Sequence, residues 1–179
     1  MKKAILLTMF LALGSLSANA QGIKFGVKGG ANFSNVKGDF DSENITNFHV
    51  GALVELNITP SFSLQPEVLY SSQGAKLKGS DDIKSDYINI PVMARFYVIP
   101  KLLSIDAGPQ FGFLVNDNYD NIGPAFKSKN YDFAVAGGVT VDIISGLFVS
   151  GRYVVGLTDT TEDSDVKNMT AQFSVGYKF

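Results

Sequence analysis

The side chains of this chain that could do chemistry fall on one parity. Lys24, Lys28, His49, Glu55, Glu67, Arg95, Asp106, Asp132, Asp142, Arg152 and Lys178 all occupy polar positions in stretches that alternate apolar and polar residues. Carboxylates beside cations can support acid–base catalysis, a proton-linked or solute-conducting path, or ion pairing in a closed interior. Catalysis has little support. No motif places a nucleophile beside a base, and the serines lie in turn or strand contexts without a nucleophile elbow. His49 is the only histidine and cysteine is absent, so histidine-based metal or triad sites are poorly provided and thiolate sites are excluded. No catalytic, cofactor-binding or metal-binding residue is assigned, and His49 is expected to be a hydrogen-bonded interior filler.

The elements that must hold these residues are strands. Residues 23–34, 47–58, 62–71, 87–98, 103–113, 131–142, 149–157 and 169–179 alternate with a period of two, and one face of all eight lacks any charge. Gly at 18 residues and Phe plus Tyr at 21, with no helix-period segment in this part, also indicate an all-β chain. Tight connectors stand at Thr59-Pro60-Ser61, Ile99-Pro100-Lys101 and Ile144-Ser145-Gly146. The other connectors are longer, at about 36–46, 72–86, 114–130 and 158–168. Alternating short and long connectors match an antiparallel up-and-down barrel with short turns on the periplasmic side. Pro66, Pro91 and Pro109 lie inside the strands and are expected to mark bulges or breaks of register, because each lacks a ladder donor.

The apolar face is expected to look outward, into lipid. The stretches have the length needed to cross hydrocarbon at a tilt. The polar face is rich in glycine and small residues, which suits a crowded interior. Aromatics gather near strand ends. Phe25, Phe62, Phe96, Tyr177 and Phe179 would form one girdle, and Phe33, Phe48, Tyr70, Phe113 and Tyr131 the other. The fold expected is an all-β, eight-stranded antiparallel transmembrane barrel, since only a closed barrel spares its edges in lipid. So narrow a lumen is filled by side chains. Its charges must therefore pair, and a Glu67–Arg95–Glu55 cluster with Arg152 and Asp106 nearby is expected as a structural ionic network.

Residues 1–20 form an export signal. Lys2 and Lys3 precede an apolar run from Ala4 to Leu13, and Ala18-Asn19-Ala20 is a small-x-small cleavage site before Gln21. A single mature domain, 21–179, follows. Setting aside Lys2 and Lys3, 13 basic residues face 17 acidic ones, a formal charge of −4. No basic patch suggests nucleic acid.

Several stretches carry a family resemblance. They are residues 24–30 with Asn32 and Ser34, Leu64 to Ser71 around Gln65-Pro66-Glu67, and Ile88-Asn89-Ile90-Pro91-Val92. Gly108-Pro109 with Gly112, Ala136-Gly137-Gly138, and Arg152-Tyr153 with Gly156-Leu157-Thr158 complete the set. Across the mature chain these resemble the outer-membrane β-barrel family of Bacteroidetes-type bacteria, the PorT-like or porin-like small barrels. The resemblance implies a barrel similar in size to OmpX and the OmpA transmembrane domain. It carries no common catalytic residues, and it implies that Phe179 ends a strand read by the outer-membrane insertion machinery. The expected location is the outer membrane of a Gram-negative bacterium, after cleavage near Ala20.

The expected role is structural or surface-interacting. Alternatives are a narrow small-solute pore, an accessory of a protein secretion or gliding apparatus, and a soluble lipocalin-like periplasmic binder. Expected contacts are outer-membrane lipid, lipopolysaccharide, and a protein partner at the long loops. Asp39, Asp41 and Glu43, then Asp81, Asp82 and Asp86, then Asp159, Glu162, Asp163 and Asp165 make these loops acidic. They lack the remainder of an EF-hand and are expected to be solvated.

Overall fold

The computed structural model describes residues 22–37, 45–75, 83–117, 131–144, 146–157 and 167–179. Within them the chain forms β1 (Ile23–Lys37), β2 (Ile45–Thr59), β3 (Phe62–Ala75), β4 (Ile83–Ile99), β5 (Leu103–Asp117), β6 (Tyr131–Ile144), β7 (Leu147–Gly156) and β8 (Lys167–Lys178). Each strand pairs antiparallel with its sequence neighbours and β8 returns to β1, so the sheet closes into an eight-stranded barrel. Among the described residues no helix is long and apolar enough to cross a membrane. The export segment 1–20 and most of the four long loops, with the acidic clusters apart from Asp86, lie outside the described residues.

Several strands outrun the apolar alternation. β4 begins at Ile83 rather than Tyr87, and β5 continues to Asp117 rather than Phe113. Asp86 still pairs with Asn116 there. Backbone pairing needs only two facing strands, whereas the apolar alternation ends where the wall leaves hydrocarbon.

Burial fixes which face looks inward. On β8, Gln172, Ser174 and Lys178 are buried, while Phe173, Val175 and Tyr177, and Phe179 just beyond the strand, are exposed. On β2, His49, Leu53 and Glu55 are buried, while Phe48, Val50 and Ile58 are exposed. The polar face is therefore the interior and the apolar face the outer wall. This is the inverse of a soluble barrel and overturns the lipocalin-like alternative.

The expected girdle aromatics stand on the outer wall. Phe33, Phe48, Phe96, Phe113, Tyr177 and Phe179 are exposed there, and Phe25, Phe62 and Tyr70 are half-buried. The side chain of Tyr131 lies outside the described set. Cross-strand ring pairs link Phe62 to Phe96 at 4.9 Å and Phe48 to Tyr70 at 6.1 Å between centroids. Phe111, Phe133 and Phe173 add outer-wall aromatics, in pairs Phe111–Phe133 at 5.2 Å and Phe33–Phe173 at 5.9 Å. The Phe33–Phe173 pair is edge-to-face at 78° between ring planes, a favourable aromatic geometry, and the other three are tilted.

The prolines do not shift the register. β3 and β4 keep one register from Phe62↔Phe96 through Pro66↔Val92 to Ala75↔Ile83. Pro91 pairs with Gln110 on β5, and Pro109 with Val135 on β6. Each proline lacks a donor toward one neighbour only, so the ladder is interrupted on that side without slipping. The irregularities lie elsewhere, at Asn57/Thr59, Tyr97/Ile99 and Asp142/Ile144 beside the short connectors, and at Asp86/Tyr87. Tight reversals absorb the mismatch there. Lys101 takes φ 60° and Gly146 φ 90°, and a Cβ at Gly146 would collide with the Lys178 carbonyl.

Val139 is half exposed on the outer wall of β6, well away from either strand end. Val139→Arg is expected to destabilise the barrel by about 2–4 kcal/mol, and the same change at Ile144 by about 0–1 kcal/mol, because the cost follows depth in the bilayer. Equilibrium unfolding from lipid vesicles checks this.

Candidate functional site

The interior is the candidate site, and it is built in tiers. The tier nearest the short connectors is centred on Arg95 of β4. Its guanidinium is 1% exposed and uses every nitrogen. Nε donates to Asp106 Oδ1 at 3.2 Å. Nη1 donates to Glu55 Oε2 at 2.8 Å and to Gln65 Oε1 at 2.9 Å. Nη2 donates to Ser104 Oγ at 2.9 Å and to Asp142 Oδ2 at 3.4 Å. The acceptors are themselves anchored. Glu55 accepts from Tyr97 Oη at 2.7 Å and from Lys178 Nζ at 2.8 Å. Asp106 accepts from Ser104 Oγ at 2.7 Å and from Thr140 Oγ1 at 2.5 Å. Lys178 also forms an ion pair with Asp142.

The middle tier is centred on Glu67 of β3. Arg152 of β7 grips it with both Nη atoms, at 2.7 and 3.0 Å. Lys28 of β1 lies 2.7 Å from Oε2. The expected direct contact between Glu67 and Arg95 is not made. Arg95 stands opposite Ser63, and Glu67 is four residues further from the short connector. Strand tilt then brings Glu67 level with Lys28 and Arg152 rather than Arg95. Gln65 joins the tiers, donating to Glu67 Oε1 at 2.7 Å while accepting from Arg95.

Every strand contributes a charge to these two tiers. Glu55, Glu67, Asp106 and Asp142 face Lys28, Arg95, Arg152 and Lys178, four against four. The sum is zero, as a water-poor interior requires. The structure thus brings Glu55, Arg95 and Asp106 into one group and Glu67 and Arg152 into another. Asp142, Lys178, Lys28, Gln65, Ser104 and Thr140 belong with them. Their inward parity was readable, but which of them share a depth depends on tilt. Lys24 is exposed and Asp132 is half-buried.

The tier on the long-loop side is built around neutral side chains. Asn32 Nδ2 donates to Ser71 Oγ at 2.8 Å and to the carbonyls of Ser72 and Phe48 at 3.3 and 3.4 Å. Carbonyls only accept, so the amide orientation is fixed and Oδ1 faces His49 Nδ1 at 2.7 Å. Nδ1 must then carry a proton. Nε2 is left to accept from Ser174 Oγ at 2.7 Å. Asn89, Gln110 and Gln172 expose 5% or less. These buried amides line the lumen on this side. Leu53, Leu69 and Met93 fill the wall between tiers. Among the described residues no group of His, Cys, Asp and Glu could hold a metal ion. The chemistry this arrangement supports is charge pairing in a filled lumen.

The model of the family described as outer membrane protein beta-barrel domain matches residues 18–162. No curated protein sequence matches the chain. Solved structures match along nearly the whole chain. The chain is similar to Neisserial surface protein A at 16% identity and TM-score 0.57, covering 89% of this chain and 100% of that one. It is similar to the outer membrane protein Ail of Yersinia pestis in a nanodisc at 17% identity and TM-score 0.55, with the same coverages of 89% and 100%. It is also similar to the outer membrane protein OprG of Pseudomonas aeruginosa at 11% identity and TM-score 0.54, covering 88% and 96%. At these identities the likeness shows the fold.

The geometry around His49 predicts a neutral ring with its proton on Nδ1, since among the described residues its ring nitrogens bond Asn32 and Ser174 and no carboxylate. Nitrogen-15 NMR of the single histidine checks it. Nε2 should show the shift of an unprotonated nitrogen, and Asn32→Leu should abolish the preference for Nδ1–H.

Proposed function

Because this chain belongs to the outer membrane protein β-barrel domain family, we propose that it is a non-catalytic barrel with a closed lumen, serving as a membrane anchor for surface interaction. The observation that carries this reading is the pair of ionic tiers. Arg95 and Glu67 reach partners on β1, β2, β3, β5, β6 and β7, so their bonds cross the lumen. A solute passing through would have to break several charge-assisted bonds at once. Membership in that family supports an outer-membrane location. Its surroundings there are outer-membrane lipid and, at the rim, lipopolysaccharide. The export signal and cleavage near Ala20 belong to the same reading, as does delivery by the insertion machinery.

With the interior filled, function falls to what the barrel displays. The segments near 36–46, 72–86, 114–130 and 158–168 are where a protein partner would bind, since loops on a rigid scaffold carry recognition. Ail is described as an attachment invasion locus protein, and a surface-interaction role for this chain is in keeping with that. The finer assignment to the Bacteroidetes-type PorT-like branch also belongs to the proposal. It is supported by Gln65-Pro66-Glu67, whose two inward side chains link the ionic tiers.

Planar-bilayer recording tests the closed lumen. The purified protein is expected to give no stable conductance steps. Reproducible steps would replace this reading with the narrow pore.

A further inference from the structure

We propose that Lys178 is the latch of the β1–β8 seam. The barrel has eight seams, and they differ in how the chain supports them. Short connectors join β2 to β3, β4 to β5 and β6 to β7 at one end, and longer ones join the other sequential pairs at the opposite end. β8 and β1 are joined at neither end, because they are the last and first strands of the barrel. Their ladder runs from Gly26↔Lys178 to Lys37↔Lys167. Ile23 and Lys24 continue past that ladder, paired on the other side with Leu56 and Glu55 of β2. The short-connector end of this seam therefore has no turn to hold it.

Lys178 stands at that end. Its ammonium bonds Glu55 on β2, one strand beyond β1, at 2.8 Å. It also pairs with Asp142 on β6, one strand beyond β7. The ammonium lies 5.2 Å from the centre of the Phe148 ring of β7. One inward side chain thus straddles the seam and grips a second-neighbour strand on each side. The backbone here bonds to both sides, to the β6–β7 connector and to β1 across the seam. Lys178 N–H donates to the Gly146 carbonyl at 2.8 Å, and Phe179 N–H donates to the Phe25 carbonyl at 2.9 Å. Gly146 has no Cβ, and this lets the β6–β7 connector press against the Lys178 carbonyl. Further along, Ser174 bonds His49 and ties β8 to β2 a second time. A strand edge exposed to hydrocarbon has no substitute partner. A seam with no covalent link is the place where such an edge first appears, and side-chain ties across it keep it closed.

Residue-resolved amide hydrogen exchange on the mature chain in phospholipid nanodiscs tests the latch. Lys178→Met keeps the stem and removes the charge; Lys24→Met, at the exposed cation of the same end, is the control. With Lys178→Met, amides paired between Gly26–Gly30 and Ser174–Lys178 are expected to exchange about tenfold faster, while those between Phe96 and Ile105 on β4–β5 stay within about twofold. Lys24→Met should leave both seams unchanged. Unchanged exchange at the β1–β8 seam in Lys178→Met, or an equal rise in all seams, overturns the latch. If Lys178→Met does not insert, the native protein decides. The Phe179 amide, bonded to Phe25 across the seam, must then be protected as well as those at the short-connector end of β4–β5. Exchange at the rate of an unpaired chain end would overturn the proposal.

Discussion

A charge enclosed in an eight-stranded barrel has almost no water around it, so it must find an opposite charge across the lumen. Much of the rest of this structure follows from that requirement. Four carboxylates and four cations meet in two tiers, and each strand supplies at least one. The tiers do inside the barrel what the hydrogen-bond ladder does in its wall. Arg95 spans five partners at a cost no exposed arginine would bear, and it is tolerable only because each N–H is answered. Leaving one charge of such a group uncompensated typically costs about 3–5 kcal/mol.

Much of this was legible in the sequence. Period-two alternation gives strand number and face, and the two lengths of connector give the up-and-down order. The outward direction of the apolar face follows from an uncharged face that alternates with glycine and ionisable residues. Depth was harder to read. Parity places Glu67 and Arg95 on the same face, but the tilt that separates them by four positions is a property of the closed barrel. For the same reason Asp142 and Lys178 look remote in sequence and meet at one end of the lumen. A missing donor suggests a slip of register at the prolines, and none occurs. An interruption confined to one side leaves the register intact.

The neutral tier around His49 and the charged tiers below it divide the labour of the interior. The charged half fixes strands at the end where the chain turns tightly. The other half is lined by amides and hydroxyls around His49. A closed scaffold of this kind holds the loop ends at fixed spacing, which is what a displayed binding surface needs.

The most direct measurement is a double-mutant cycle between Glu67 and Arg152, with leucine at each position, read by equilibrium unfolding from lipid vesicles. The account predicts that each single change is costly and that the double change recovers part of the loss, leaving a coupling of at least about 1–3 kcal/mol. Additive losses would contradict it, because the two residues would then be independent fillers rather than members of a neutral network.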